Sequence, residues 1–205
     1  MNQLRLLSAP RPPEPTADPN NAYTPDDLAR ALVAHLVRRH GLQEPIWEAH
    51  AGGGAFVRAL IAHGLQHIAT DIDPACGWNV WDAARGLPPG MGRPWGIVGN
   101  PPWSEATNLL PGALRDAEQM VSWILPATIL GRVEWGPFLR QAWPEEILHL
   151  GRIGFGGPGR SGGGSGMTDC ALFTWLRRPL LHPEIQWMGQ GITRRMVGDE
   201  AGVWP

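Results

Sequence analysis

The sequence contains no lysine, and its charges nearly cancel. All 17 cationic side chains are arginines, and they face 19 Asp and Glu residues, which gives a formal net charge of -2. A net charge this small provides no global attraction to nucleic acid or to an acidic membrane surface, so a polyanionic partner would have to meet a local patch. Arginine suits bidentate contacts with phosphate, but genome composition is the simpler explanation for its exclusive use.

Cysteines and long apolar runs are also scarce. The two cysteines, Cys76 and Cys170, have no spacing typical of a metal site or a disulfide framework, so we expect reduced, buried thiols. No run approaches the roughly 18 apolar residues of a membrane span. The N-terminus lacks the apolar segment of a signal peptide. We therefore expect a soluble, cytoplasmic protein.

The pattern along the chain predicts one α/β domain. Residues 1–20 are polar and rich in proline, which is typical of a flexible arm, and residues 21–205 are expected to form a single domain. Short apolar strands alternate with helical stretches from Ile46 to about residue 178. This alternation favours a doubly wound, mostly parallel sheet with helices on both faces.

The first helix has clear end signals. Thr24 is expected to be its N-cap, Pro25 its first helical residue and Asp27 the acid of a capping box. Gly41 follows two arginines and is expected to end the helix.

A glycine turn and three acids follow the predicted strands. "EAHAGGGAF" comes after the first strand, and Asp71 ends the second strand 23 residues beyond Glu48. Ligands of α/β sheets bind at the carboxyl ends of the strands, where an acid can accept both ribose hydroxyls of an adenosine and another, Asp82, its exocyclic amine. Each acid could instead be a loop cap or a solvated charge. The turn does not match G-x-G-x-x-G, which makes a hydride-transfer cofactor the weaker interpretation.

The order "YTP…EAHAGGG…TDIDP…WD…GNPPW" resembles the N6-adenine DNA methyltransferases, in particular small phage and prophage members, over residues 22–178. The resemblance implies a Rossmann-like sheet of seven strands with an antiparallel last strand, and S-adenosyl-L-methionine (SAM) as the cofactor. The turn departs from the family pattern, because Ala49 replaces the usual proline and His50-Ala51 follows it. The implied cofactor-binding residues are Tyr23, Thr24, Glu48, His50, Gly52, Gly54, Asp71, Ile72 and Asp82.

The most specific part of the resemblance is Asn100-Pro101-Pro102-Trp103, the expected catalytic motif. The N6 amine of adenine is a poor nucleophile because its lone pair is delocalised into the ring. The side-chain oxygen of Asn100 and the carbonyl of Pro101 can accept its hydrogens, and Pro102 stiffens the turn that holds them. Trp103 offers a face for an extruded base, worth about 1–3 kcal/mol. Alternatively, the motif is a strand-ending turn with a packed aromatic residue. The expected reaction needs no metal.

The glycine-rich loop 154–166 precedes the last predicted strand. The resemblance implies that this loop lies beside the target strand of DNA, with Arg160 and Ser161 as candidate substrate contacts. A flexible surface loop is the alternative. Few residues follow the last predicted strand, and no separate target-recognition domain is expected. We therefore expect relaxed or short-site specificity, or a protein partner that supplies recognition.

Other functions remain open at this point. Asn-Pro-Pro-aromatic motifs also occur in methyltransferases that act on glutamine side chains of proteins and on adenine or guanine of RNA. A non-catalytic SAM-binding subunit of a modification complex is a further possibility.

Overall fold

The computed structural model describes residues 23–155, 167–177 and 184–188. The predicted arm, residues 1–20, lies outside them. Four helices are described: α1 (Asp26–His40), α2 (Ala55–Ala62), α3 (Ala106–Asp116) and α4 (Gly136–Leu139). The eight strands are β1 (Ile46–Glu48), β2 (His67–Asp71), β3 (Asn79–Val80), β4 (Gly96–Gly99), β5 (Met120–Pro126), β6 (Glu146–Gly154), β7 (Met167–Leu176) and β8 (Glu184–Trp187). Short 3₁₀ turns cover Pro74–Cys76, Ala83–Arg85, Ala127–Gly131 and Val133–Trp135.

The strands form one sheet in the order β3-β2-β1-β4-β5-β7-β6-β8. Every neighbouring pair is parallel except the two pairs that involve β7, which runs antiparallel to both β5 and β6. The predicted mostly parallel sheet with an antiparallel seventh strand is therefore confirmed. The short eighth strand was not predicted, because the end of the sequence has no clear hydrophobic period.

The predicted start of the first helix is wrong in detail. Pro25 is the N-cap residue, in an extended conformation, and no side chain caps the helix. The Thr24 hydroxyl instead accepts a hydrogen bond of 3.3 Å from the side-chain amide of Asn100, and Asp27 accepts one from its neighbour Leu28. The Thr24 hydroxyl, which was predicted to cap the helix, thus makes a tertiary contact with Asn100 instead. The helix ends as predicted at Gly41, in the left-handed conformation with φ 62°.

The core has two halves, one on each face of the sheet. In β5, Met120 and Ile124 pack with α1 and α2, whereas Val121, Trp123 and Leu125 pack on the opposite face with α3. This alternation follows from the period of two along a strand. Burial on both faces explains why β5 is apolar almost throughout.

Two expectations drawn from composition can be compared with the structure. Cys76 and Cys170 are both free and buried, as predicted. Among the described residues, no helix has the length and apolar character needed to cross a membrane.

Two buried tryptophans differ in how their indole N–H groups are satisfied. Trp47 in β1 and Trp123 in β5 are 2% and 1% exposed. The Trp47 N–H donates to the Thr70 hydroxyl at 3.0 Å, whereas the Trp123 N–H has no hydrogen-bond partner among the described residues. A buried donor without a partner costs stability, and a satisfied one contributes to it.

This difference predicts unequal effects of one substitution. Trp47→Phe and Trp123→Phe remove the same atoms at similar burial, but only Trp47→Phe breaks a hydrogen bond. We expect Trp47→Phe to lower the free energy of unfolding by about 1–2 kcal/mol more than Trp123→Phe does. Urea unfolding of both variants and the parent chain measures this, and equal losses would contradict it.

Candidate functional site

The candidate site lies where the winding of the sheet changes direction. From β1 the chain adds β2 and β3 on one side, then returns to add β4 and β5 on the other side. The carboxyl ends of β1 and β4 therefore border the crevice in which ligands of such sheets bind. Glu48 ends β1, Asp71 ends β2 and Asn100 directly follows β4. The structure brings these predicted residues to one edge of the sheet.

The glycine turn after β1 is tied to the end of β2 through Asp71. The backbone N–H of Gly52 donates to one Asp71 carboxylate oxygen at 2.8 Å, and the N–H of Asp73 donates to the other at 2.9 Å. Each oxygen keeps a lone pair for a further donor. Asp71 thus holds the turn and can still accept ligand hydroxyls.

Two aromatic rings enclose the same turn. The ring of Tyr23 lies over Gly52 and Gly53, where an added Cβ would be 3.2 Å from its ring carbons. On the other side, Trp78 donates its indole N–H to the Gly52 carbonyl at 2.7 Å. A Cβ on Gly54 would be only 2.6 Å from the Trp78 ring. The glycines are needed here because the rings occupy the space of side chains.

Trp78 and Arg58 both donate hydrogen bonds to the glycine turn, and neither contact was predicted from the sequence. Arg58 in α2 donates to the Gly53 carbonyl at 2.7 Å and forms a bidentate pair with Asp26, the first residue of α1. Only the position of Arg58 four residues after the last glycine, one helical turn into α2, could have indicated this contact. Together these contacts fix the turn against the start of α1.

Glu48 is a buried carboxyl at the base of the crevice. Its side chain lies against Gly99 of β4, where an added Cβ would overlap the carboxylate, and it accepts the N–H of His50 at 3.1 Å. Burial, helped by the negative charge of Asp71 and opposed by the His50 N–H, raises the pKa of Glu48 to about 8. Burial lowers the pKa of His50 to about 4, against the charge of Asp82. Both side chains are therefore uncharged at neutral pH.

Asp82 and Ile72 border the outer part of the crevice. One Asp82 oxygen accepts the N–H of Ala84 at 2.9 Å and caps a 3₁₀ turn, so the loop-cap role weighed for this acid is present. A carboxylate has lone pairs for further donors, so the cap does not exclude a ligand contact. Ile72 is 65% exposed, directly after Asp71. Its side chain offers an apolar surface beside the acids.

The Asn100 side chain is held at both ends. Its amide nitrogen donates to the Thr24 hydroxyl at 3.3 Å, and its oxygen accepts the indole N–H of Trp103 at 2.9 Å. The same indole N–H also lies 3.2 Å from the Ile124 carbonyl of β5. Asn100 therefore has a fixed orientation.

Trp103 is partly packed and partly exposed. Its ring meets Phe155 edge-to-face, with centroids 5.2 Å apart and an interplanar angle of 79°. It also contacts both halves of the core. The packed-aromatic interpretation thus describes part of its role. Phe155, at the start of the glycine-rich loop, was missed. Pro101 is buried and Pro102 exposed.

The predicted substrate contacts Arg160 and Ser161 lie outside the described residues. Their expected role beside the target strand stays a prediction.

Comparisons with known proteins show likeness in fold. No protein-family model and no curated protein matches the sequence. The M protein of the type I restriction enzyme EcoKI is 12% identical with a TM-score of 0.59, over 84% of this chain and 48% of that one. A chain of a type I restriction-modification (R-M) system, from a structure of its complex assembly, is 13% identical with a TM-score of 0.56, over 84% and 46%.

A smaller enzyme shares the fold as well. The magnesium protoporphyrin IX methyltransferase of Synechocystis PCC 6803, with bound SAH, is 12% identical with a TM-score of 0.53, over 75% of this chain and 83% of that one. At these identities the likeness shows the fold alone, the Rossmann-like fold of SAM-dependent methyltransferases. This chain spans about half the length of the type I structures that it matches.

The raised pKa of Glu48 predicts a pH-dependent stability. The folded chain keeps the Glu48 proton up to pH about 8, whereas the unfolded chain releases it near the ordinary value of 4.5. Between these values the folded state binds more protons than the unfolded state, so stability falls as pH rises. Glu48→Gln removes the titration. Its stability relative to the parent should increase from pH 4.5 to 8 by up to a few kcal/mol and then level off.

Urea unfolding of both chains across this pH range measures the effect. Glu134→Gln, at an exposed carboxyl, is the control and should show no such trend. A pH-independent difference for Glu48→Gln would contradict the assignment of a neutral buried carboxyl.

The crowding of Gly54 predicts a second difference. Gly54 and Gly64 both have positive φ, 78° and 69°, but a Cβ on Gly64 meets nothing within 4 Å. Gly54→Ala should destabilise the fold by about 1–3 kcal/mol more than Gly64→Ala, because the backbone strain is shared and only Gly54→Ala displaces Trp78. Equal decreases in Tm for Gly54→Ala and Gly64→Ala would contradict this prediction, because they would show that the Trp78 ring can move aside without loss of stability.

Proposed function

We propose that this chain is a SAM-dependent methyltransferase that transfers a methyl group to the exocyclic N6 amine of adenine in DNA. The observation that carries the proposal is Asn100, fixed between Thr24 and Trp103 at the end of β4, beside the glycine turn and its acids. The motif residues and the candidate cofactor residues share one edge of the sheet, as transfer between two bound molecules requires.

The glycine turn and the residues that end or follow β2 and β3 fit SAM. Asp71 has lone pairs for ribose hydroxyls, and the exposed Ile72 can lie against a purine. Asp82 borders the same surface and can accept an exocyclic amine. The carboxylates also suit a ligand that carries a sulfonium and an ammonium charge. The same fold in a methyltransferase with bound SAH supports this assignment.

Catalysis would depend mainly on positioning. SAM supplies an already activated methyl group when it is bound. Asn100 would accept one hydrogen of the substrate amine on its side-chain oxygen and the Pro101 carbonyl the other, which draws the nitrogen towards tetrahedral geometry and frees its lone pair. Trp103 keeps the Asn100 oxygen in place before substrate arrives, so little reorganisation is needed at the transition state.

DNA adenine is the substrate that the Asn-Pro-Pro-Trp motif favours. The likeness of fold to chains of type I R-M systems is consistent with DNA, and with a protein partner that supplies target recognition. Methylation of RNA, methylation of protein glutamine, and SAM binding without transfer are the competing outcomes of the test below.

Labelled SAM offered to the purified chain with DNA, RNA and protein pools tests the proposal. We expect label in DNA, on adenine N6. Asn100→Ala should lower kcat by at least about 10²-fold, since it removes a preorganised acceptor, while SAM binding measured by calorimetry stays nearly unchanged. Asn108→Ala, at an exposed Asn of α3, is the matched control and should keep full activity. Label in RNA or protein alone, or full activity of Asn100→Ala, would overturn the proposal.

Trp103→Phe separates two roles within the same assay. Phenylalanine keeps an aromatic face but cannot donate to Asn100. If the indole N–H positions the acceptor, kcat falls roughly tenfold or more while KM changes little. If Trp103 acts only as a stacking face, Trp103→Phe retains kcat and Trp103→Ala raises KM.

A further inference from the structure

A second group of polar side chains lies at the other edge of the sheet. Glu146, the first residue of β6, is fully buried, and its carboxylate is hydrogen-bonded to two histidines of α1. The Nε2 atom of His35 lies 3.1 and 3.0 Å from the two carboxylate oxygens, and the Nε2 atom of His40 lies 2.7 Å from one of them. Because β6 runs in the same direction as β5, its start lies at the amino edge, opposite the candidate active site.

We propose that His35, His40 and Glu146 form a binding site for a divalent transition-metal ion, with Zn²⁺ as the ion that fits best. Two imidazole nitrogens and one carboxylate oxygen are ligands that Zn²⁺ takes in proteins. The three ligand atoms all lie within 4.8 Å of one another. Imidazole ligands disfavour Mg²⁺ and Ca²⁺, which prefer oxygen.

The present distances are close to those of a metal site. Tetrahedral ligands at Zn–N and Zn–O distances near 2.1 Å are separated by roughly 3.4 Å. The hydrogen-bonded atoms therefore need to move apart by about 0.3 to 0.7 Å, and the two histidine nitrogens, which lie within 4.8 Å of each other, need to reach the same separation. Each histidine now shares a hydrogen with the carboxylate, and the ion would take the place of those hydrogens.

The electrostatics suit a cation. Glu146 brings a carboxylate to the cluster, and this carboxylate lies within hydrogen-bond distance of both histidines. Glu145 is buried next to it and accepts the N–H of Leu176. Arg39 lies 3.9 Å from Glu146 and opposes a further positive charge. A selective site of moderate affinity is the expected result.

Access and rigidity also favour the site. The His35 side chain is 16% exposed, whereas those of His40 and Glu146 are 2% and 0% exposed. An ion can enter past His35, where water can complete its coordination. Both histidines lie on the second half of one helix and Glu146 on a strand that is paired on both sides, by β7 and β8, so the ligands are held before the ion arrives.

Sequence spacing could not indicate this site. The histidines are five residues apart, but Glu146 lies 111 and 106 residues beyond them. Only the packing of α1 against β6 brings the three together. A bound ion would link the two elements and stabilise the fold, independently of methyl transfer.

Equilibrium dialysis of the full chain against Zn²⁺ and Mg²⁺, with metal analysis, tests the proposal. We expect one Zn²⁺ per chain, no Mg²⁺ and a higher Tm with Zn²⁺. His35→Gln and His40→Gln should each weaken Zn²⁺ binding by at least the roughly 10- to 100-fold that loss of an outer-shell partner costs. His63→Gln, at the exposed histidine that directly follows α2, is the matched control and should bind as the parent does.

Co²⁺ in place of Zn²⁺ provides a second readout. Visible d–d bands without a thiolate charge-transfer band would indicate nitrogen and oxygen ligands and exclude Cys76 and Cys170. Should His40→Gln fail to fold, His35→Gln at the exposed side of the cluster decides the question. Three results would each overturn the proposal: no stoichiometric Zn²⁺ binding, unchanged binding in His35→Gln, or thiolate bands with Co²⁺. His35, His40 and Glu146 would then be a hydrogen-bonded group of side chains that binds no metal.

Discussion

The hydrogen bond from the Gly52 backbone to the Asp71 carboxylate is the constraint on which the candidate site depends. It joins the ends of two adjacent parallel strands, and it does so through Asp71, the residue that we propose to accept ligand hydroxyls. The turn that it holds leaves no room for side chains, because Tyr23 and Trp78 cover it from both sides. The glycines are therefore required by the packing of these two rings.

A second constraint acts on the Asn-Pro-Pro-Trp motif. The segment before α1 and the indole of Trp103 hold opposite ends of the Asn100 amide, so the motif is not positioned by its own turn alone. Thr24 and Asn100 are 76 residues apart, yet one hydrogen bond links the start of the domain to the centre of the crevice. The first helix begins without a side-chain cap because its N-cap residue, Pro25, has no side-chain oxygen that could accept a hydrogen bond.

The sequence was informative where a pattern is local. Strand and helix positions follow from periodicity and end signals, and the predicted acids do meet at one edge because parallel strands end together. It was uninformative where function depends on packing between distant segments. Trp78 was not predicted to contact the turn, Arg58 is marked only by its distance from the last glycine, and Glu146 lies 111 and 106 residues beyond the histidines that it contacts. The stacking role of Trp103 stays a prediction, and the direction of its N–H towards Asn100 could not be foreseen from the sequence.

Helix α1 connects these two regions. Its first residue, Asp26, pairs with Arg58 beside the glycine turn, and its last, His40, contacts Glu146 at the far edge of the sheet. With 15 residues it is about 22 Å long. A continuous helix of this length is rigid along its axis. The two ends of α1 are therefore held at a fixed separation, one beside the glycine turn and the other beside Glu146.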